Sequence, residues 1–322
     1  MIKTLNTMIK TLNALLLLSV ASFTHAQSEA SFALSTGAVM ASDQLRLYAA
    51  NPDGKVLAIN AENGRTLWTS QVTGRPLAVF ENQLVVVAQT EQDGENAILL
   101  LNLDTGANIQ EITVDIGAAQ AVIVPLPNQT FATSTEATKN GIRVYWEFDK
   151  QPLQGAAMFD EAQTSLDSVS RFGAFDLNLT AELASVRTAA LNSRDEIPRL
   201  IPNLPVSERL PSLTGEQFRS ANSAHLQTNR AVSDARFGTV YRWSLLKATG
   251  EALGGVTLPY AYAPFSVRAA KLITQLPPYA VRQAGGEIDA FAARIVSFNL
   301  QTGAELWSID VLDPVYRGVL PP

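Results

Sequence analysis

Cysteine is absent from all 322 residues. That excludes disulfides, thiolate metal sites, cysteine nucleophiles and a lipidated N-terminal cysteine. Histidine is nearly absent. Of the 2 present, His25 falls beside the N-terminal apolar run and His225 in a polar stretch that reads as helical. A metal cluster needs several ligands, and no His-x-x-x-His spacing exists, so His225 reads as solvent-facing. A Lys/Arg run is missing too. With a formal net charge of −6, there is no basic patch for phosphate, which argues against nucleic acid. No Gly-x-Ser-x-Gly elbow is present. Gly254-Gly255 and Gly285-Gly286 read as turns, not as a phosphate loop. Asp149, Asp160 and Asp176 are scattered and read as solvated loop positions, with no recognisable Ca²⁺ ligand set. After the N-terminus no apolar run approaches 18 residues, so the mature chain is expected to carry no transmembrane segment.

What is there is an ordinary globular composition, 47% hydrophobic and 17% charged, with ample material for a core. The N-terminus reads as a secretory signal over residues 1–26. Lys3 and Lys10 form its positive region, Ala14 to Phe23 its apolar region, and Thr24-His25-Ala26 its small-residue cleavage site. MIKTLN stands at 1–6 and again at 8–13, so Met8 is a second candidate start.

The stretch from Tyr48 to Val72, YAANPDGKVLAINAENGRTLWTSQV, reads as three short strands and two tight turns. Asp53-Gly54 and Asn63-Gly64 tolerate the positive backbone angles that tight hairpin turns need. Near-copies follow. AILLLNLDTGANIQEITV (97–114) aligns Asn102 with Asn60 and Gly106 with Gly64; ARIVSFNLQTGAELWSIDV (293–311) aligns Asn299, Gly303 and Trp307 with Asn60, Gly64 and Trp68. The spacing between the first two copies lies in the range of roughly 40–45 residues for four-stranded propeller blades. A looser unit spans 131–158, with Asp149-Lys150 where the turn is expected, and another spans 237–257 with Trp243 on a strand.

Residues 160–235 break the pattern and read as a degenerate blade plus a partly helical insertion. Residues 170–179 read as one strand pair. Thr180 to Asn192 reads as a helix with Leu183, Val186 and Ala190 on one face. Thr214-Gly215-Glu216-Gln217 reads as a capping box opening a second helix to about Ala235. Between them the run Leu200, Ile201, Pro202, Asn203, Leu204, Pro205 is apolar and proline-rich. It is either a partner surface or a plug packed against the rest of the domain. Tyr260, Tyr262, Phe265 and Tyr279 read as blade core and strand edges, with stacking on a sugar or peptide as the alternative.

These residues resemble the quinoprotein-like (PQQ-like) propeller repeat: strand, Asp-Gly, strand, Asn/Asp-x-x-Thr-Gly, then a strand carrying Trp. The resemblance covers about two-thirds of the expected mature chain. It implies an all-β propeller of five to seven four-stranded blades over residues 27–322. It also implies that Trp68 with Gly64, and Trp307 with Gly303, serve the packing between adjacent blades. At the second copy Gln110 replaces Trp, so a weaker contact is expected there. Closure of the ring is assigned to residues 28–36 or to 312–320.

The family has two functional branches. Quinone-dependent dehydrogenases hold pyrroloquinoline quinone and Ca²⁺, and many clamp the quinone with a Cys pair that this chain lacks. Non-catalytic propellers include a periplasmic member of the outer-membrane β-barrel assembly machinery. The expectation is therefore a non-catalytic periplasmic scaffold without cofactor or metal, contacting an envelope protein. A quinone-dependent or other periplasmic enzyme is the alternative.

Overall fold

The computed structural model describes residues 33–34, 38–41, 43, 45–89, 96–114, 116, 129–150, 169–198, 225–234, 238–246, 251–259, 265–268, 270–276, 278–282 and 288–312. All of them belong to one compact unit, Phe32–Pro322.

Antiparallel strands build everything that follows. The first sheet is a meander of β1 (Ala33–Leu34), β2 (Ala38–Met40), β3 (Arg46–Ala50), β4 (Lys55–Asn60) and β5 (Thr66–Thr73), paired in that order. The second is β6 (Arg75–Phe80), β7 (Gln83–Gln89), β8 (Asn96–Asn102) and β9 (Asn108–Val114). The third is β10 (Gln129–Thr138), β11 (Gly141–Lys150), β12 (Val169–Asn178) and β13 (Ser185–Ala189). The fourth has three strands, β14 (His225–Asp234), β15 (Gly238–Leu246) and β16 (Ala252–Leu258). In the fifth, β17 (Phe265–Arg268) and β18 (Lys271–Leu276) pair with β21 (Arg294–Asn299) and β22 (Glu305–Asp310). A hairpin of β19 (Tyr279–Arg282) and β20 (Ile288–Phe291) interrupts the chain between β18 and β21.

Inner strands are near-continuous apolar runs. KVLAIN and NAILLLN are buried at nearly every position, as expected for strands covered on both faces. Last strands such as β5 are mostly exposed. The period of two then decides which sheet each side chain meets. Leu47, Ala49, Leu57 and Ile59 face the fifth sheet, packing with Ile273, Ile295 and Trp307. Tyr48, Val56 and Ala58 face the second sheet, meeting Leu84, Val86 and Leu101. The other side of the second sheet, through Val85, Val87, Ile98 and Leu100, packs on Phe131, Ile142, Val144 and Leu177 of the third. Trp243 and Leu245 of the fourth sheet pack on Leu272, Val296 and Phe298 of the fifth.

Several expectations are corrected. Among the described residues there is no α-helix, only a 3-10 turn at Arg194–Glu196, so the insertion is not partly helical where it can be seen. The apolar spacing of 180–192 fits a helix, but β12 offers an open edge, and Val186 takes its place opposite Leu177. Leu183, assigned to the apolar helix face, is instead exposed. Residues 225–234 form β14, with His225 opposite Leu246, rather than helix. Residues 170–178 run in one strand, β12, and not in a pair. Asp149-Lys150 is no turn; both residues continue β11, opposite Ser170 and Val169. Gly254-Gly255 lies inside β16. Residues 199–224, including the first half of the expected capping-box segment, and Gly285-Gly286 lie outside the described residues.

At the chain ends, β1 adds a fifth strand to the first sheet through Ala33 opposite Val39. The Leu312 amide donates to the carbonyl of Ala50 at 2.8 Å. The fifth sheet takes all its strands from residues 265–310.

Candidate functional site

The repeat signature builds the same turn three times. The Asn60 side-chain oxygen accepts from the amides of Glu62 and Asn63 at 2.8 and 3.2 Å. Asn102 accepts from Asp104 and Thr105 at 2.9 and 3.1 Å, and Asn299 from Gln301 and Thr302 at 2.8 and 3.3 Å. Each turn closes with a glycine amide donating back to the asparagine carbonyl, from Gly64, Gly106 and Gly303 at 2.8, 2.9 and 2.7 Å. Their φ values are +72°, +69° and +73°, which a side chain disfavours. Asparagine suits the first position because its short amide mimics a further backbone turn.

Each turn is also a socket for the last strand of the preceding sheet. A Cβ on Gly64 would stand 2.7 Å from Cγ of Trp307, and one on Gly106 only 2.5 Å from Cε3 of Trp68. Trp68 Nε1 donates to the carbonyl of Leu103 at 2.9 Å, and its ring leans on Tyr48 with centroids 5.8 Å apart. Tyr48 is fully buried, and burial pushes its phenol up to about 12. Ion pairs repeat beside two sockets. Arg46 at the start of β3 holds Asp104 at 2.7 Å, and Lys271 at the start of β18 holds Glu62. Arg46 and Lys271 occupy equivalent places, each opposite the turn asparagine of its own sheet.

Two junctions replace tryptophan. Gln110 is part-buried, and its amide clasps the backbone of Ala184, donating from Nε2 to the carbonyl and accepting from the amide, both at 3.0 Å. In the fourth sheet the position belongs to Gly254, where a Cβ would collide with the Leu300 carbonyl, so backbone meets backbone. Composition did not separate this close approach from a turn.

A β-bulge precedes each docking residue. Register shifts fall opposite Leu67, Ile109, Leu253 and Leu306. All four are large aliphatics left exposed. The extra residue re-aims the next side chain toward the neighbouring sheet.

The third sheet differs in chemistry. Its face carrying Tyr145 and Ala174 packs on Ile197 and is otherwise ionic. Arg143 grips Asp176 through two hydrogen bonds of 2.6 and 3.0 Å, holding that carboxyl below the usual range. Tyr145 donates to Glu136 at 2.8 Å. Arg194 binds Glu147 and, at 2.6 Å, Asp149. Burial raises the Asp149 carboxyl, but Arg194 and Ser170 together pull it below its ordinary value. Ser193 and Glu196 close a capping box over this turn. Asp149 and Asp176 are thus ion-paired, not scattered in loops.

Among the described residues no group of three or more His, Asp or Glu is placed to hold a metal, and no helix is long and apolar enough to cross a membrane. Leu200, Ile201, Pro202, Leu204 and Pro205 lie outside the described residues, as do Asp160, Tyr260 and Tyr262. Phe265 and Tyr279 begin β17 and β19.

All-β sheets of this kind, three of them carrying the same Asn-x-x-x-Gly turn with a strand of another sheet seated on it, are similar to the blades of PQQ-like repeat proteins, and a family model matches part of the chain. More particularly, residues 19–167 match the family model of the outer membrane protein assembly factor BamB. Among solved structures, BamB from Moraxella catarrhalis is similar at 14% identity and a TM-score of 0.26, over 84% of this chain and 63% of that one. The Dos1 propeller is similar at 10% identity and 0.29, over 86% and 58%. A europium-containing methanol dehydrogenase is similar at 10% and 0.26, over 86% and 62%. The chain therefore spans less than two-thirds of the length of each. No curated protein matches it in sequence.

Proposed function

We propose that this chain is a non-catalytic periplasmic β-propeller that serves as a protein-binding scaffold in outer-membrane protein assembly. The observation that carries the proposal is the match of residues 19–167 to the assembly-factor family. Two further features support it. The signature residues Asn60, Gly64, Trp68, Asn102, Gly106, Asn299, Gly303 and Trp307 are engaged in turns and sheet-to-sheet docking, which leaves them a structural role. The N-terminal run with the pattern of an export signal fits a periplasmic address. On this reading the five described sheets are blades of a ring of five to seven, and Trp68 and Trp307 are inter-blade wedges. Rigid sheets then present loops to a partner, with Leu200, Ile201, Pro202, Leu204 and Pro205 as the contact surface.

In-cell crosslinking of the tagged protein tests this, comparing full length with a form lacking residues 200–222. That deletion spares β13, the Arg194 turn and β14. The expected result is capture of an outer-membrane assembly component by the full chain, reduced at least about tenfold by the deletion. Capture of no envelope protein by either form would overturn the scaffold reading. Equal capture by both would move the contact away from 200–205.

A further inference from the structure

The three Asn-x-x-x-Gly turns share one architecture, but the first alone carries a reactive pair. The residue before the turn glycine is Asn63, Thr105 or Thr302. Each side chain accepts from the amide two residues on. Thr105 accepts from Ala107 and Thr302 from Ala304, both at 3.3 Å, and Asn63 from Arg65 at 3.0 Å. Threonine does this with a hydroxyl. Asparagine does it with an amide carbonyl, whose carbon is an electrophile within reach of the next backbone nitrogen. Glycine at the next position leaves that nitrogen unshielded by a side chain.

Two features of the turn act on this pair in opposite directions. The Arg65 amide sits at Asn63 Oδ1, where negative charge develops when Cγ is attacked, and a fixed donor there favours the attack. Against it, the Gly64 amide is occupied, donating to the Asn60 carbonyl at 2.8 Å. The Trp307 ring also presses on Gly64 from the fifth sheet, where a Cβ would stand 2.7 Å from its Cγ. Attack therefore waits until the turn loosens. The Trp307 seat is the less tightly held of the two tryptophan seats. Trp68 donates its indole N–H to the Leu103 carbonyl. The buried Trp307 Nε1 has no acceptor among the described residues, and a buried donor left without one costs stability. The fifth and first sheets come from opposite ends of the described chain, so no short connection spans their seam; a hydrogen bond from Leu312 to Ala50 crosses it. Asn63 itself is exposed, so water reaches it.

We propose that Asn63 is a site of spontaneous deamidation, gated by the Trp307 seat, and that the reaction undoes that seat. The Gly64 nitrogen attacks Asn63 Cγ. The N–Cγ bond forms, the Cγ–Nδ2 bond breaks, and ammonia leaves with the proton that the Gly64 amide gives up. Water then opens the cyclic imide. Cleavage at Cγ gives aspartate, and cleavage at the backbone carbonyl carbon gives isoaspartate. Isoaspartate lengthens the main chain by a methylene beside Gly64, which shifts the glycine off the Trp307 ring. Both products place a new negative charge next to Glu62. This chemistry is independent of the scaffold reading.

The test incubates the full mature chain in mildly alkaline buffer and follows it by peptide-mass mapping, which separates asparagine, aspartate and isoaspartate at position 63. Asn140-Gly141, at the β10–β11 hairpin of the third sheet, is the internal reference. The expected result is conversion at Asn63 that runs at least about tenfold faster in Trp307→Ala, while Asn140 keeps the same rate in both proteins. Lys271→Ala removes the partner of Glu62 in the same turn and is expected to speed conversion in the same sense; it takes the place of Trp307→Ala if that variant does not fold. Amide exchange then reads the seat. After conversion β22 is expected to exchange faster, and to stay protected in equally aged Asn63→Thr, which carries the residue type of the other two turns. No conversion at Asn63 over a time in which the capped peptide AENGR converts fully would overturn the proposal. So would equal rates with and without the loosening substitution, or unchanged exchange in β22 after conversion.

Discussion

Gly106 is constrained twice, by a φ of +69° and by the Trp68 ring where its Cβ would lie. Gly106→Ala is therefore expected to cost about 2–4 kcal/mol in urea unfolding, well above the ordinary surface substitution. Gln110 makes two hydrogen bonds to Ala184 in a part-buried setting, so Gln110→Ala is expected to cost about 1–3 kcal/mol by leaving the partner backbone unsatisfied. A loss under about 0.5 kcal/mol would mean the clasp is open in solution. Acid sensitivity belongs to this scale too. Asp149 and Asp176 are held below the usual carboxylate range. Their stabilising contribution is fully present above the ordinary Asp value of about 4 and is lost as pH falls through their lower folded values. The melting temperature should fall below about pH 4, and less steeply in Asp176→Asn, as read by a thermal melt at each pH.

At the scale of elements, the Arg194 clamp fixes residues 193–198 on the third sheet. Arg194→Ala removes partners from Glu147 and Asp149 at once. It is expected to raise amide exchange at Ile197, whose N–H donates to the Arg194 carbonyl, while β8 remains protected. Unchanged exchange at Ile197 would show that the hydrophobic seat under it suffices. Sequence reading succeeded where chemistry is local. Asn60 to Gly64, and its copies at Asn102 and Asn299, announce their turns because asparagine and glycine are needed there for reasons internal to five residues. It failed where a neighbour decides. Val186 and Leu183 fit a helical face, and only the open edge of β12 makes strand of the segment. Gly254-Gly255 reads as a turn until the Leu300 carbonyl is seen against it. Gln110 reads as a weaker contact, since nothing in its own strand reveals Ala184. Gly173 went unread for the same reason, because it matters only through the Trp146 indole that packs against it from the neighbouring strand.

For the whole unit, the junctions differ in kind. Tryptophan sockets with ion pairs join the fifth sheet to the first and the first to the second. The amide clasp joins the second to the third, and backbone contact joins the fourth to the fifth. Leu312 ties the chain's last described residue to Ala50, beside the buried Val311. Truncation before Leu312 should lower the melting temperature by several degrees, and an unchanged melt would free the tail from any part in closure. The central claim is that tryptophan docking locks successive sheets into one rigid scaffold. Urea unfolding of Trp68→Ala and Trp307→Ala tests it most directly. Each is predicted to lose about 3–5 kcal/mol, the range for a packed aromatic. Losses under about 1 kcal/mol for both would contradict the account, because the sheets would then hold together without their wedges.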